Sequence, residues 1–478
     1  MDTLFSNVTI VTMDEAMHVY FDAYLGVTDG KISYLAREAP KEKTKRLVPG
    51  EGMVLMPGLI NCHTHLPMSV LRGYADDVEL SSWLNDYIFP HEDRLDGRSA
   101  KAAALLSIAE CVRFGTTSIS DMYNFCDEIA EAVAESGIKA NIARGATLFG
   151  EDFDFETHPA CRELVALKEK WDGYDNGRIR VEASVHGEYT SDYRLWDALS
   201  EFAINEKVGM HVHLSETKAE HEQCLERNGL TPAQVLDCHH VFDTRAIAAH
   251  CVWVTPEDMR LLAKRGVTAV HCPVSNLKLA SGCAPVTEMV KAGMNVALGT
   301  DSSASNNNLD LFEEMKAAAL MAKVTSGDPK ALAQSWLICG PPGSGRSDDG
   351  DGLRRARAGP RGRVRHAEAR HGRRPRAARL HVAASHAVPQ CDVASRLCRL
   401  RPRRRDDHGA WAGALCCGQV SDDRPRQRRA RAVRLRHAAH FRRSTQLIPT
   451  ERTDECWKKR QRRSRISWPV RRCCRWRR

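Results

Sequence analysis

A repeated alternation of apolar runs and helical patterns between Gly58 and about Ser326 most constrains what this chain can fold into. Seven apolar runs of β type, from GLINCHTH to NVALGTDSS, are each followed by a loop and a helical segment. Such a repeat is the signature of a parallel α/β fold. Polar, chemically competent side chains end nearly every run, where a (β/α)8 barrel carries its active site. The sequence therefore predicts an α/β TIM barrel over residues 58–330.

Short β segments precede the barrel pattern. LFSNVTIVTM, AYLGVTDGKISYLA and RLVPGEGMVLMP contain the turn signals Asp29-Gly30 and Pro49-Gly50. Strands joined by such turns fit a small sheet and not a pair of helices. We therefore expect residues 1–57 to form a separate small β unit.

The segment after the barrel pattern differs in kind from the rest of the chain. Residues 341–478 hold 37 Arg and 2 Lys against 12 Asp and Glu, a net charge of +27, whereas residues 1–340 carry −18. No amphipathic period runs through residues 331–478, so we expect this tail to be disordered. Because the barrel part is acidic, it gives no reason to expect a nucleic-acid partner.

Two histidines at the end of the first barrel run indicate a metal site. His63 and His65 stand two apart, so on a strand they share one face and can converge on a d-block metal. Two polar residues that merely end a strand are the simpler alternative. His213, His250 and Asp301 end three further runs. Each is ambiguous alone, since Asp301 could cap a helix, but together they predict a metal centre with a water in its open position.

Further polar residues surround this predicted centre. Glu216 lies three residues beyond His213, where a carboxylate can shuttle a proton, although it could instead belong to the start of a helix near Thr217. His211 shares a face with His213 and is expected to support the ligands from behind, as is His271. RVEASVHG contains no lysine that could bridge two metals, which favours a mononuclear site.

Five motifs together resemble the deaminase and chlorohydrolase branch of the amidohydrolase superfamily: PGLINCHTHLPMSVLRGYADD, HVHLSET, AHCVW, HCPVSNLKLASG and LGTDSSASNNNLDLFEEMK. The resemblance covers residues 1 to about 330. It implies a distorted (β/α)8 barrel and a small β-sandwich built from both chain ends. It also implies one divalent metal, zinc first with iron or manganese as alternatives. The implied metal ligands are His63, His65, His213 and Asp301.

The resemblance implies a hydrolytic deamination of an adenosine derivative, 5′-methylthioadenosine or S-adenosylhomocysteine, to the inosine analogue and ammonia. In this scheme the metal lowers the pKa of a water, His250 polarises the attacking oxygen and Asp301 accepts a proton. Glu216 then protonates the ring nitrogen and helps ammonia to leave. A small-molecule nucleoside is therefore the expected partner.

Three further residues match substrate contacts of the family, and a fourth is suitably placed to contact the substrate. Glu92 corresponds to a glutamate that binds ribose hydroxyls, unless it is a solvated charge at a helix end. Arg144 and His186 correspond to other substrate contacts, and Trp83 is placed to line the thioether side or to be a core aromatic. The family often has a second substrate arginine, but residues 145–161 contain none. That absence disfavours a substrate bearing a carboxylate.

The tail is where the chain departs from the family, which continues with strands that complete the β-sandwich. Arg, Ala, Gly and Pro dominate here instead, and all four have GC-rich codons. We hypothesise a reading-frame shift near residues 331–335, which would leave the sandwich incomplete. Homo-oligomers are expected only with an intact small domain. Three alternatives stay open: hydrolysis of another ring (guanine, cytosine or a triazine), a nucleic-acid-binding protein that uses the tail, and an inactive product.

The compartment follows from two absences in the sequence. The N-terminal residues show no basic segment followed by a long apolar core, and no run approaches the roughly 18 apolar residues that a membrane span needs. The ten cysteines of residues 1–340 form no CxxC pair, which suits reduced thiols. We expect a cytoplasmic enzyme with no membrane partner.

Overall fold

The N-terminal strands form a sheet of their own. The computed structural model describes residues 1–14, 18–78, 80–150 and 152–332, so the predicted disorder of the tail falls outside the described residues apart from its first two positions. The five strands are β1 (Thr3–Val11), β2 (Val19–Thr28), β3 (Lys31–Ala36), β4 (Arg46–Pro49) and β5 (Val54–Leu55). β1 pairs antiparallel with β2 and parallel with β4 and β5.

This small sheet has its own apolar cluster and a tight hairpin. Val8 and Ala23 are completely buried between its strands. Asp29 and Gly30 connect β2 to β3 with φ of 49° and 70°, the positive values that a two-residue hairpin turn of type I′ requires. The strands expected before the barrel are therefore present, while the domain limits of 1–57 and 58–330 stay predictions.

Eight parallel strands, paired with one another in chain order, form the barrel sheet, which confirms the predicted (β/α)8 architecture. The sequence pattern indicated seven strands and missed KANIAR, which pairs with both of its neighbours. The barrel strands are β6 (Leu59–Thr64), β7 (Thr116–Tyr123), β8 (Lys139–Arg144), β9 (Ile179–Gly187), β10 (Gly209–Leu214), β11 (Ala246–His250), β12 (Thr268–His271) and β13 (Asn295–Leu298).

Side chains and one backbone bond close the seam between β6 and β13. The buried Asn61 accepts from the Thr300 amide at 3.0 Å and donates to the Thr300 hydroxyl at 2.7 Å. The Asp301 amide donates to the His63 carbonyl at 3.0 Å. A Cβ on Gly299 would lie 2.8 Å from the Cβ of His63, so only glycine permits this approach. The seam therefore brings the first and last barrel strands together at their carboxyl ends.

Helices surround the barrel, and β10 is buried on both faces, as parallel strands commonly are: all six of its residues are buried. Thr217, Thr231 and Thr255 start three of the helices with a capping box. No helix among the described residues is long and apolar enough to cross a membrane. The helices are α1 (Leu80–Ser82), α2 (Phe89–Glu92), α3 (Gly97–Arg113), α4 (Cys126–Ser136), α5 (Pro159–Trp171), α6 (Tyr174–Gly177), α7 (Tyr193–Glu206), α8 (Lys218–Asn228), α9 (Pro232–Cys238), α10 (Pro256–Arg265), α11 (Pro273–Lys278), α12 (Val286–Lys291), α13 (Ser303–Asn306) and α14 (Leu311–Ser326), with 3-10 turns at Leu66–Leu71 and Glu188–Thr190 and a π-helical turn at Trp83–Ile88.

Candidate metal centre and active site

The five residues expected at the metal centre converge at the carboxyl ends of four strands. The Nε2 atoms of His65 and His213 lie 3.3 Å apart. Asp301 Oδ1 lies 3.2 Å from His65 Nε2 and 3.5 Å from His63 Nε2. Possible ligand atoms of His63, His65 and His213 lie within 4.8 Å of one another, as do those of His63, His250 and Asp301. The two sets share His63, and the contacts of Asp301 Oδ1 with His63 and His65 connect them.

Hydrogen bonds on the far ring nitrogens set the orientation of these imidazoles. The Nδ1 of His213 lies 2.7 Å from the carbonyl of His186, and the Nδ1 of His65 contacts the carbonyl of Met122. A carbonyl can only accept, so each Nδ1 carries a proton and each Nε2 is the atom left to bind a metal. These two Nε2 atoms are the ones that lie 3.3 Å apart. This is how metal-ligating histidines are held in proteins.

The surroundings of His63 suit a residue that binds a metal. Its ring is completely buried, and His211 Nε2 lies 3.0 Å from its Nδ1. Its Nε2 has no hydrogen-bond partner, although a buried polar atom normally has one. Burial lowers the pKa of His63 to about 3, so the ring is neutral and able to bind a cation. The residues present therefore fit a divalent metal, and His211 contacts His63 from behind, while its supporting role stays a prediction.

Asp301 is a carboxylate held in place from several sides. Ser275 and Ser305 donate to its Oδ2 at 2.6 and 2.8 Å, and the Ser302 amide donates to its Oδ1 at 2.7 Å. Burial raises the pKa of Asp301, but the imidazoles of His63 and His65 beside it outweigh this and keep it well below its usual range. Asp301 and His250 both have positive φ, 60° and 70°, a costly conformation that tends to occur at functional sites.

Glu216 lies on the loop after β10, beside this cluster. Its Oε2 is 3.6 Å from the Nε2 of His250, and Ser281 donates to its Oε1 at 3.4 Å. Thr217 and Glu220 form the capping box of α8, so the cap is not made by Glu216. Burial raises the pKa of Glu216, which favours a carboxyl that can hold a proton.

His250 and His271 end adjacent strands but have different surroundings. The Nδ1 of His250 lies 2.9 Å from the side-chain oxygen of Asn276, which leaves its Nε2 facing Glu216. His271 is buried, and burial lowers its pKa to about 3. It belongs to neither group of possible ligands found among the described residues. Its supporting role stays a prediction.

A cavity of about 1000 Å³ opens outward from the cluster, and all four predicted substrate contacts line it. The Tyr123 hydroxyl donates to Glu92 at 2.5 Å, and burial raises the pKa of Glu92. Glu92 is therefore not the solvated helix-end charge that the sequence left open. Arg144 donates to Glu163 and to the carbonyl of Gly145.

The other two predicted contacts sit deeper in the wall. His186 lies 3.2 Å through its Nδ1 from the Thr190 hydroxyl, and burial lowers its pKa to about 4. Trp83 is 4% exposed, so it is both a core aromatic and a lining residue, and its indole N–H has no partner.

The sequence analysis missed several residues of the site. Tyr123 ends the run TTSISDMY, so the rule that polar residues at the carboxyl ends of barrel strands form the active site would have identified it. Ser275, Asn276 and Ser305 bind Asp301 and His250 from helices that follow β12 and β13. No spacing in the sequence distinguishes these residues from ordinary helix-start residues.

Comparison with known proteins agrees with this geometry. The amidohydrolase family model matches residues 54–335. A 5-methylthioadenosine/S-adenosylhomocysteine deaminase of Acetivibrio thermocellus is 40% identical over 341 residues, covering 71% of this chain and 78% of that protein. A 5′-deoxyadenosine deaminase of Methanosarcina acetivorans is 39% identical over 338 residues, covering 70% and 77%.

Two solved structures share the fold of this chain. An adenosine deaminase from Xanthomonas campestris with bound zinc is 31% identical, with a TM-score of 0.66 over 71% of this chain and 78% of that chain. A guanine deaminase from C. acetobutylicum shares the fold, with 24% identity and a TM-score of 0.65 over 70% of this chain and 84% of that chain. With the family model covering more than half of the sequence, the chain belongs to the amidohydrolase family.

Proposed function

We propose that this protein is a metal-dependent hydrolytic deaminase of an adenosine derivative, with 5′-methylthioadenosine, S-adenosylhomocysteine and 5′-deoxyadenosine as the substrates to consider. The observation that carries the proposal is the meeting of three imidazole Nε2 atoms and the Asp301 carboxylate, with buried Glu216 beside them in a cavity. Relatives about 40% identical are named as deaminases of these nucleosides.

A divalent metal held by His63, His65, His213 and Asp301 would supply a Lewis acid that lowers the pKa of a water. Zinc suits a set of three imidazoles and one carboxylate, and iron or manganese would also suit it. The zinc in the Xanthomonas campestris deaminase supports the first of these.

His250 and Asp301 act on the attacking water. His250 donates its Nδ1–H to Asn276, so its Nε2 accepts a hydrogen bond and orients the water oxygen. Asp301 takes up the proton as the oxygen bonds to the purine carbon that carries the amino group. Its three donors hold it in position and keep it ionised until then.

Glu216 handles the proton on the substrate side. Burial keeps its carboxyl able to carry a proton, which it donates to the ring nitrogen next to the attacked carbon. The proton taken by Asp301 passes to the amino group, the carbon–nitrogen bond breaks, and ammonia leaves. The proton that remains on the added oxygen returns to Glu216, which restores its carboxyl and leaves a carbonyl on the purine carbon. One water is consumed, and the inosine analogue and one ammonia are formed.

Glu92, Arg144, His186 and Trp83 bind the rest of the nucleoside in this proposal. The Tyr123 hydroxyl donates a hydrogen bond to one oxygen of Glu92 and fixes the carboxylate, which can still accept hydrogen bonds from the ribose hydroxyls.

The partner is a small-molecule nucleoside of cytoplasmic metabolism, and homo-oligomers would need the complete small domain. We also propose that the frame changes near residues 331–335, which sequencing the gene across this point would test.

Ammonia release tests the function directly. Purified full-length chain is incubated with the three adenosine derivatives, adenosine, guanine and a triazine, and metal content is measured on the same sample. We expect ammonia from adenosine derivatives and about one metal per chain. Release from guanine or triazine alone would show that the enzyme acts on another ring. Release from no compound by metal-loaded protein would contradict the proposal.

A further inference from the structure

The cavity extends outward beyond the residues that perform the chemistry. Its far side is lined by Glu163 and Lys170 on α5 and by Asp127 and Glu128 on α4. The reacting amino group has to reach Glu216 and the metal ligands at the inner end. The purine and the ribose therefore fill the inner part, and the substituent on the 5′ carbon of the ribose reaches furthest out.

Carboxylates outnumber cations along this cavity. Apart from the metal cluster and Glu216, five carboxylate side chains and two cationic side chains line it. The carboxylates are Glu92, Asp93, Asp127, Glu128 and Glu163, and the cations are Arg144 and Lys170. An anion that enters the outer part therefore meets a surplus of negative charge.

Both cations already have carboxylate partners. The Nε of Arg144 donates to Glu163, and its Nη1 donates to the Gly145 carbonyl at 2.5 Å. Lys170 lies 2.8 Å from both oxygens of Asp127. Among the cavity-lining residues that the structure describes, no lysine or arginine is left to receive an anionic group.

Another part of the cavity lining is apolar. It comes from the helical segment that begins with α1 and from the loop after β8. The lining side chains are Leu80, Trp83, Leu84, Ile88, Phe89 and Phe149. Contact with this wall favours a substituent that loses little hydration on entering.

We propose, resting on the deaminase function above, that this outer cavity selects adenosine derivatives whose 5′ substituent is uncharged and apolar, such as methylthio or hydrogen, and discriminates against those with a carboxylate there. The Arg144–Glu163 pair sets this preference. Glu163 neutralises Arg144, one of the two cations that line the cavity, so Glu163 is a specificity-determining residue that acts through Arg144.

A matched pair of substrates isolates the charge. The probes are 5′-deoxy-5′-(2-carboxyethylthio)adenosine and its carboxamide, which differ in charge but hardly in size, with 5′-methylthioadenosine as the reference. At pH 7 we expect kcat/KM to be about tenfold lower for the carboxylate than for the carboxamide, which corresponds to about 1.4 kcal/mol. Equal values, or a preference for the carboxylate, would overturn the inference.

Glu163→Gln tests the stated cause. Removing this carboxylate frees Arg144, and because Glu163 is 51% exposed, the carboxylate-to-carboxamide ratio should rise by only about threefold. Glu206→Gln is the control, since Glu206 pairs with Lys168 on α5 and neither residue lines the cavity. Equal changes in the two variants would refute the role of Glu163. Ammonia from none of the three nucleosides would instead overturn the deaminase function, and the inference with it.

Discussion

Replacing Glu216 by Gln is the sharpest test of the chemistry, because the change removes a proton carrier and little else. Glutamine has nearly the same shape and can keep the contact with the Ser281 hydroxyl. Glu216 is outside both sets of possible metal ligands, so the metal should stay bound. Only proton transfer to and from the substrate should be lost.

The size of the effect follows from that role. A positioned general acid–base group contributes about 10²- to 10⁴-fold to the rate. The Gln variant should therefore show kcat lower by this factor, a barrier higher by about 3–5 kcal/mol. KM should change much less, because the ribose contacts at Glu92 and the metal ligands are untouched.

The assay compares ammonia release, metal content and thermal unfolding of the wild type, Glu216→Gln and Ser281→Ala. Ser281→Ala removes the 3.4 Å contact to Glu216 without removing the carboxyl, and we expect less than about a tenfold loss in kcat. If Glu216→Gln with full metal content keeps kcat within tenfold of the wild type, Glu216 is not the proton carrier and our assignment is wrong.

Three further changes probe the metal, the pH dependence and the barrel seam. Asp301→Asn should weaken metal affinity at least about tenfold, measured as metal per chain after dialysis, and full retention would contradict its place as a ligand. Burial raises the pKa of Glu314 to about 8 from 4.5. The stability that this buried, protonated carboxyl contributes to the fold is therefore complete below pH 4.5 and is lost as pH rises through 8. Urea unfolding between pH 5 and 8 should show wild-type stability falling relative to Glu314→Gln, by up to about 1.4 kcal/mol per pH unit, and parallel curves would refute this. Asn61→Ala should lower the free energy of unfolding in urea by about 1–3 kcal/mol, because Thr300 loses both of its hydrogen bonds to Asn61 across the seam. An unchanged midpoint would contradict the proposed closure of the seam by Asn61.

The sequence determined the fold class and the candidate ligands, because both depend on local patterns. Burial on both faces makes parallel strands apolar throughout, and the chemistry falls where each strand ends. That rule singled out His63, His213 and Asp301 from three separate strands. It missed KANIAR as a strand, since a run of six residues with Lys, Asn and Arg has little apolar signal.

Only the tertiary structure decided how these residues work together. Asn61 and Thr300 are 239 positions apart, and their bonds exist only because the barrel closes. The same closure places Asp301 Oδ1 3.5 Å from His63 Nε2, whereas the pairing of β6 with β7 places the Met122 carbonyl behind His65. Arg144 is a substrate contact by sequence match, yet the packing of α5 gives it Glu163 as a partner. A pattern records period and burial along the chain, whereas charge pairing and ring orientation depend on residues brought together from distant strands and helices.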